Sequence, residues 1–288
     1  MCENAVNARV PVAVPGARGS SPLLKKVAGA VAATAALGAA TAAYGHFIEL
    51  NNFQLRTESL PVLPAGSPDF RILHISDMHM IPGQQKKIDF MHSLATLEPD
   101  LVMNTGDNLS HVDGMGPLLE ALDPLMDFPG VFVPGSNCYF APVFKNPARY
   151  LWQPRTPQMI EEGSRVALPI ERMHEAFESR GWTGLINRYD TLNLKGLRLE
   201  FSGVDDPHLR YDEHPGFAPG AFDEGDEPSV RIGVAHAPYM RTLHHFVQDG
   251  AQAIFAGHTH GGQVCLPGGH ALVSNCDLPP SRAKGVSK

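Results

Sequence analysis

Seven residues with side chains that bind metals follow short apolar runs in this sequence, each group near a glycine or a proline. They are Asp77, His79, Asp107, Asn137, His236, His258 and His260. Oxygen and imidazole donors without a thiolate suit Mn, Fe, Zn or Co better than Ca or a structural Zn. Any one of them alone could cap a turn or be a satisfied polar residue. Because all seven follow apolar runs, we expect them to meet at one sheet edge as the ligands of two metal ions.

The elements that would position these residues alternate between strands and helices. Apolar runs predict strands at 71–76, 100–104 and 131–133, with helices over 84–97 and from Pro117 between them. This alternation implies a parallel sheet with its polar residues at one edge. If the first strand keeps its geometry, Asp77 and His79 point the same way and reach one ion. A helix at 169–180, an antiparallel strand pair at 191–194 and 197–202, strands at 230–235 and 251–255, and a helix at 240–248 follow.

Composition narrows the class of protein. The 288 residues are 43% hydrophobic and 18% charged, which is typical of a globular chain, and the net charge of −7 argues against a nucleic-acid partner. Four cysteines do not form a disulfide framework. In the hairpin predicted around Pro267, Cys276 lies beyond the partner of Cys265, so we expect no disulfide between them.

The N-terminal region predicts export. Residues 1–26 are polar and are expected to be a disordered cytoplasmic tail, whereas residues 27–44 carry no charge and have about the minimum length for a transmembrane anchor. Lys25 and Lys26 before this segment place the N-terminus in the cytoplasm and the bulk of a single-pass cell-membrane protein outside. A cleaved signal segment, which would leave a secreted protein, and an alanine-rich soluble helix remain open. Residues 45–69 are expected to form a linker.

Residues 141–168 interrupt the alternation and are expected to fold over the strand ends as a lid. The segment is rich in proline, arginine and aromatic residues and has no clear period. Its Lys145, Arg149 and Arg155 either meet phosphate or are simply solvated.

The motif order D-x-H, G-D-N, G-x-N, H-x-P and G-H-T-H resembles the calcineurin-like metallophosphoesterase superfamily over Phe70 to about Gly268. The blocks GVDDP and GHTHGGQ are similar to a membrane-associated bacterial branch that hydrolyses phosphodiester or pyrophosphate bonds in lipid-linked or cell-envelope compounds. The resemblance implies an α/β fold for residues 70–288, a four-layer α/β/β/α sandwich behind the N-terminal membrane helix. It also implies further strands after the last predicted one, so either the sandwich closes economically or the sequence is short.

Carried over by position, the resemblance assigns the seven residues to two ions. Asp77, His79 and His260 would hold one ion, Asn137, His236 and His258 the other, and Asp107 would bridge them. Two divalent ions about 3.5–4 Å apart lower the pKa of a shared water, so that a bridging hydroxide is available at neutral pH to attack phosphorus. On this assignment Asp107 and Asn137 are catalytic as well as ligating. Asp205 and His208 either orient ligands, contact substrate or face solvent.

One block departs from the family pattern. The family usually has Gly-Asn-His followed by an acidic residue, in which the histidine protonates the leaving group; here the block reads Gly135-Ser136-Asn137-Cys138-Tyr139. A thiol facing two divalent ions would become a thiolate and block open coordination positions. We therefore expect Cys138 to face away from the ions and a water or His208 to supply the proton.

The function that these residues favour is metal-dependent hydrolysis of a phosphodiester, pyrophosphate or phosphomonoester bond, in a lipid-linked or cell-envelope substrate at a membrane. The alternative is a metal-binding envelope protein with little or no turnover, motivated by the missing acid. A nuclease is disfavoured by the acidic charge. The sequence does not indicate an oligomeric state.

Overall fold

The computed structural model describes residues 22–143, 165–219, 229–262, 264–266 and 270–288. The chain divides into two compact units, Met1–Gln54 and Leu55–Lys288. Most of the predicted tail and of the predicted lid, including Lys145, Arg149 and Arg155, lies outside the described residues.

The first unit is described as one long helix. α1 (Pro22–Phe47) has 26 residues and is exposed along its length. It begins at Pro22 rather than at Val27, because proline is well tolerated in the first turn of a helix. The segment Lys25–Asn51 has a mean hydropathy of 1.5 and is long and apolar enough to cross a membrane, the single such helix in the described part of the chain. A signal sequence meets the same criterion, so anchor and signal both stay predictions.

A four-stranded parallel sheet opens the second unit. β1 (Ile72–Ile75), β2 (Leu101–Asn104), β3 (Gly130–Phe132) and β4 (Trp182–Gly184) lie side by side in sequence order. Asn104 pairs with Ile75 on one side and with Phe132 on the other, so the strands end at nearly the same level. The sequence predicted the first three strands but not β4, because its three residues Trp-Thr-Gly form no recognisable apolar run.

Helices cover the outer face of this sheet. α2 (Gln85–Leu94), α3 (Met115–Leu122) and α5 (Ile170–Ser179) each bury an apolar stripe, and the short α4 (Ser136–Tyr139) follows β3. Their buried side chains form one core with the sheet, in which Met91, Leu118 and Phe177 pack with Phe132 and Trp182.

A second sheet closes the sandwich. It contains β5 (Arg188–Leu194), β6 (Leu197–Gly203), β7 (Ser229–Ala235) and β8 (Ala253–Ala256) in that order. β5 and β6 pair antiparallel through a turn at Lys195 and Gly196, and β6, β7 and β8 pair in parallel. α6 (Met240–Gln248) packs on the outer face through Phe246. Apolar residues of both sheets form the layer between them, including Met103 and Phe201. The four-layer α/β/β/α prediction is therefore confirmed.

The chain then forms a small hairpin and folds back. β9 (Val264–Leu266) pairs antiparallel with β10 (His270–Val273), and Cys265 lies opposite Ala271. Cys138, Cys265 and Cys276 are free thiols, as the predicted register requires. After β10, the Asp277 carboxylate accepts the backbone N–H of Met240 at the start of α6 over 2.8 Å. The last described segment is therefore fixed against the second sheet.

Candidate metal centre

The seven predicted ligands lie together at the edge where the parallel strands of both sheets end. Asp77 and His79 follow β1, Asp107 follows β2, Asn137 lies in α4 after β3, His236 follows β7, and His258 and His260 follow β8. Backbone hydrogen bonds tie these loops together: the Asp77 N–H donates to the Gly106 carbonyl and the Gly257 N–H to the His236 carbonyl, each over 2.8 Å. The structure brings all seven to one place, while their roles as ligands stay a prediction.

Five of these residues have a left-handed backbone. Asp77, His79, Asp107, His258 and His260 have φ between 46° and 68°. This conformation is uncommon for residues other than glycine and is concentrated at functional sites. It corrects the expectation that strand geometry persists to His79: β1 ends at Ile75, and Asp77 and His79 converge through tight turns instead of strand alternation. The sharp turns direct both side chains across the sheet edge.

The first group of donors contains Asp77, His79 and His260, whose donor atoms all lie within 4.8 Å of one another. His79 Nε2 lies 3.3 Å from His260 Nε2, and Asp77 Oδ1 lies 3.4 Å from His260 Nε2. The other carboxylate oxygen of Asp77 accepts the Ser76 hydroxyl over 2.6 Å and the backbone N–H of His258 over 2.9 Å. One oxygen is thus held by the protein and the other points at the two imidazoles.

The second group contains Asp107, His236 and His258, and it is buried. Asp107 Oδ2 lies 3.3 Å from His236 Nε2, and His236 Nε2 lies 3.3 Å from His258 Nδ1. Asn137 joins this group, since its backbone N–H donates to Asp107 Oδ1 over 2.7 Å and its amide lies 3.1 Å from Asp107 Oδ2. The same amide rotated by half a turn presents its oxygen at that position, which is the atom a metal takes.

The donor atoms fit divalent ions. Asp77 Oδ1 is buried and has no hydrogen-bond partner, which is costly for a carboxylate oxygen unless a cation occupies the space in front of it. A mixed set of carboxylate, amide and imidazole donors at this spacing is what Mn, Fe, Zn or Co binds.

Neighbouring groups orient the histidine rings. His236 Nδ1 donates to the Thr105 carbonyl over 2.7 Å, so Nε2 is the ring nitrogen directed at the cluster. His79 Nδ1 lies 2.9 Å from the Ser110 hydroxyl. His258 uses its ring nitrogens in the opposite sense. Its Nε2 lies 3.3 Å from the Asn275 carbonyl, and its Nδ1 faces the cluster.

Charges within the cluster are strongly coupled. Burial opposes ionisation of Asp107, but His236, His79 and His258 outweigh it and hold the pKa of this carboxyl below its usual range. Burial also disfavours the charged form of His236, yet Asp107, with Asp77 and Asp206, raises its pKa to about 10. Burial and the neighbouring His236 lower the pKa of His258 to about 3. The metal-free cluster thus has one carboxylate–imidazolium pair at its centre.

Two glycines allow the loops to approach this closely. A Cβ on Gly135 would lie 2.6 Å from ring carbons of His236 and would also contact the Asp107 carboxylate. A Cβ on Gly257 would overlap the Ser76 hydroxyl and lie 2.6 Å from Asp77 Oδ2. A side chain at Gly135 would displace Asp107 and His236 of the second group. A side chain at Gly257 would displace Asp77 of the first group.

Cys138 faces the core and not the cluster, as predicted. Its side chain is fully buried among the residues between the first sheet and its helices, and the Asn108 amide contacts its sulfur over 3.7 Å. Burial and the nearby Asp107 charge raise the pKa of the thiol to about 12. The thiol is therefore neutral and does not face the donor cluster.

The cluster opens into a cleft of about 280 Å³. His208 lines this cleft, with its ring 4.7 Å from that of His258 and its Nδ1 3.0 Å from the Tyr239 hydroxyl. The buried Asp206 carboxylate accepts the backbone N–H groups of His208 and Leu209, which fixes the turn that carries His208. Of the alternatives for this loop, the structure places His208 at the cleft.

Asp205 instead forms a structural contact with Tyr139. The Tyr139 hydroxyl lies 2.7 Å from both oxygens of the Asp205 carboxylate, and Asn187 accepts the Asp205 backbone N–H over 2.7 Å. Burial raises the pKa of Asp205 and also that of Tyr139. The sequence analysis missed this link and the contact of Asn275 with His258. Both join residues far apart in the chain, and no local pattern signals them.

A four-layer sandwich with this donor cluster at its strand ends defines a metal-dependent hydrolase. The chain belongs to the calcineurin-like phosphoesterase family, whose family model matches residues 70–262. This match confirms the resemblance in the motifs and identifies the protein as a metal-dependent phosphoesterase.

Individual relatives are distant. The uncharacterized protein YpbG of Bacillus subtilis (strain 168) is 27% identical over 215 residues, which cover 73% of this chain and 69% of YpbG. Among solved structures, the phosphopantetheinyl hydrolase PptH from Mycobacterium tuberculosis has a TM-score of 0.32 and 14% identity, over 58% of this chain and 68% of that one. A likeness of that extent carries no argument about function.

Proposed function

We propose that the protein uses two divalent ions, held by the seven clustered residues, to hydrolyse a phosphodiester, pyrophosphate or phosphomonoester bond. The observation that carries this proposal is the presence of two adjacent donor groups, Asp77/His79/His260 and Asp107/His236/His258. Asp107 Oδ2 lies 3.3 Å from His236 Nε2 in its own group and 3.8 Å from His79 Nε2 in the other. On this proposal Asp107 would be the carboxylate that both ions share, with Asn137 completing the second group.

The chemistry divides between the ions and the chain. Two bound ions supply Lewis acidity for the phosphate oxygens and lower the pKa of a water. Asp107 stays ionised through its histidine neighbours, and Asn137 adds a neutral donor beside it. His208 is the proton donor to the leaving group in place of the family's usual histidine, because it lines the cleft and Cys138 does not.

The expected substrate is a lipid-linked or cell-envelope phosphate ester. Support comes from α1, which is long and apolar enough to hold a catalytic unit at a membrane surface. Lys25 and Lys26 before the apolar segment orient the catalytic unit outside the cytoplasm. Cleavage of the segment as a signal would release the same unit as a secreted enzyme. The net charge of −7 disfavours a nucleic-acid substrate.

Hydrolysis of bis-p-nitrophenyl phosphate by the full chain tests the proposal. We expect turnover with Mn²⁺, loss of turnover with a chelator, and recovery when metal is restored. Tight metal binding without turnover would favour the alternative, a metal-binding envelope protein. A phosphate-release screen over lipid, nucleotide and wall-polymer substrates then identifies the substrate class, and metal-dependent cleavage of DNA at modest salt would revive the nuclease.

A further inference from the structure

Arg165 is the one lysine or arginine among the described residues that line the catalytic cleft. It lies beside an apolar wall formed by Ala141, Pro142 and Val143, and it shares the cleft with His208 and the donor cluster. Arg165 therefore adds a permanent positive charge to the cleft that contains the proposed metal ligands.

The chain holds Arg165 at this wall through pairing with the segment after α4. Phe140 and Ala167 form an antiparallel bridge, and the Ala141 N–H donates to the Val166 carbonyl over 2.8 Å. The guanidinium lies 5.8 Å from the centre of the Phe140 ring, in range of a cation–π contact. Because the paired segment continues from α4, Arg165 is tied to the element that carries Asn137.

The guanidinium of Arg165 has no carboxylate partner among the residues that the structure describes. Five arginines of the second unit form an ion pair with an aspartate or glutamate, and Arg165 is not among them: Arg180, Arg188, Arg198, Arg231 and Arg241. A guanidinium presents a planar set of donors that matches a phosphate or carboxylate in two-point contact. No carboxylate of the described residues therefore competes with an external anion for the Arg165 guanidinium.

We propose that Arg165 binds a second anionic group of the substrate, separate from the phosphate that is hydrolysed. This inference rests on the proposed function and narrows its substrate class to phosphate esters that carry a further phosphate or carboxylate. At the metal centre, two divalent ions outweigh the charges of Asp77 and Asp107 and can already accommodate the scissile phosphate. The fixed positive charge of Arg165 along the cleft wall therefore pairs with a second anionic group of the substrate.

Matched esters with a variable spacer test the proposal in the full-length, Mn²⁺-loaded protein. The substrates are p-nitrophenyl phosphodiesters of ethanediol, butanediol and hexanediol, whose far end is either a free hydroxyl or a phosphate. For the best spacer we expect kcat/KM to favour the phosphate-bearing ester by about tenfold or more. Arg165→Gln should reduce this ratio to about one, and Arg165→Lys should retain part of it. Arg172→Gln, at an exposed position on α5 outside the cleft, should keep the wild-type ratio.

Three outcomes would overturn the proposal. These are a ratio near one in the wild type with every spacer, a ratio that Arg165→Gln leaves unchanged, and an equal loss on both esters. The last would place Arg165 on the scissile phosphate. Calorimetry on the same proteins measures the binding of butanediol bisphosphate and butanediol monophosphate without turnover. Arg165→Gln should weaken the binding of the bisphosphate only. If neither ester is hydrolysed, the proposed function fails, and the binding ratio still tests Arg165.

Discussion

Cys138 occupies the position where related enzymes carry their acid histidine, and its side chain lies in the core behind the metal centre. The sulfur contacts the Asn108 amide, and burial keeps the thiol protonated. The neighbouring Asn137 departs from helical backbone angles, with φ of −89° and ψ of 19°, and its side chain contacts Asp107 in the cluster instead. Proton donation is therefore left to a water or to His208, which lines the cleft.

We expect Cys138→Ser to keep kcat within a few-fold of wild type, because the thiol contacts neither ions nor substrate. Its cost should appear in stability, since a buried hydroxyl without a partner costs about 1–3 kcal/mol. Steady-state kinetics and thermal unfolding on one sample separate the two effects. A large loss of turnover together with a metal–sulfur signal in X-ray absorption would make Cys138 a ligand and contradict this account.

His236 predicts how metal affinity depends on pH. Its pKa of about 10 in the metal-free protein lies above the unfolded value of about 6.5. The contribution of this pair to folding stability is therefore fully present below about pH 6.5 and is lost as the pH rises through about 10, where the folded protein releases the proton. Metal binding has to displace this proton, so affinity should rise with pH by up to about tenfold per unit. Calorimetry in two buffers of different ionisation heat should show proton release on metal binding. A pH-independent metal affinity without proton release would contradict this prediction.

At the scale of single residues, the sequence predicted which side chains meet at the donor cluster but not which neighbours orient them. Polar residues directly after apolar runs are visible in one dimension, and Asp77 through His260 were found in that way. Asn275 was not, because it follows the final hairpin and reaches His258 only through tertiary folding. Tyr139 and Asp205 were missed as a pair for the same reason, being 66 positions apart.

The strands position the donor residues chiefly because they end at the same level of the sheet. β1, β2 and β3 stop in register, and the loops after β1, β2 and β8 turn through left-handed residues that aim donors into one volume. The strands themselves were predictable from apolar runs. The left-handed turns were not, since aspartate and histidine adopt them only where surrounding loops enforce the conformation.

Gly257 tests this arrangement at the level of the loops. A Cβ there overlaps Ser76 and crowds the Asp77 carboxylate, so Gly257→Ala should lower metal content and activity together. Gly116→Ala is the matched control, because a Cβ at that position in α3 meets nothing within 4 Å. Metal analysis and thermal unfolding of both variants check the prediction. Normal metal content in Gly257→Ala would show that the two loops can separate without loss of the centre.

At the scale of the whole molecule, the chain combines an apolar helix with a catalytic unit that belongs to the calcineurin-like phosphoesterase family. Strand–helix alternation predicted the parallel first sheet, and the four-layer order was implied by the resemblance of the motifs. Residues 141–168 could not be treated in the same way, since a segment without hydrophobic periodicity predicts no element.

We expect α1 to retain the protein in the membrane fraction with residues from Phe70 onward outside the cytoplasm. The basis is the uncharged segment and the two lysines that precede it. Carbonate extraction and protease accessibility in intact cells measure both properties. A soluble mature protein that begins near Ala43 would show cleavage as a signal, and the whole chain in the cytosol would contradict export.

The number of metal ions bound by wild type and by Asp107→Asn tests the central claim most directly. Asp107 lies 3.3 Å from His236 and 3.8 Å from His79, one histidine of each donor group, whereas Asp77 lies 4.0 Å from both of these histidines. We predict about two ions per wild-type chain by elemental analysis after gel filtration, and a joint loss of metal and phosphoesterase activity in the variant. Two ions and normal turnover in Asp107→Asn would contradict the two-metal centre.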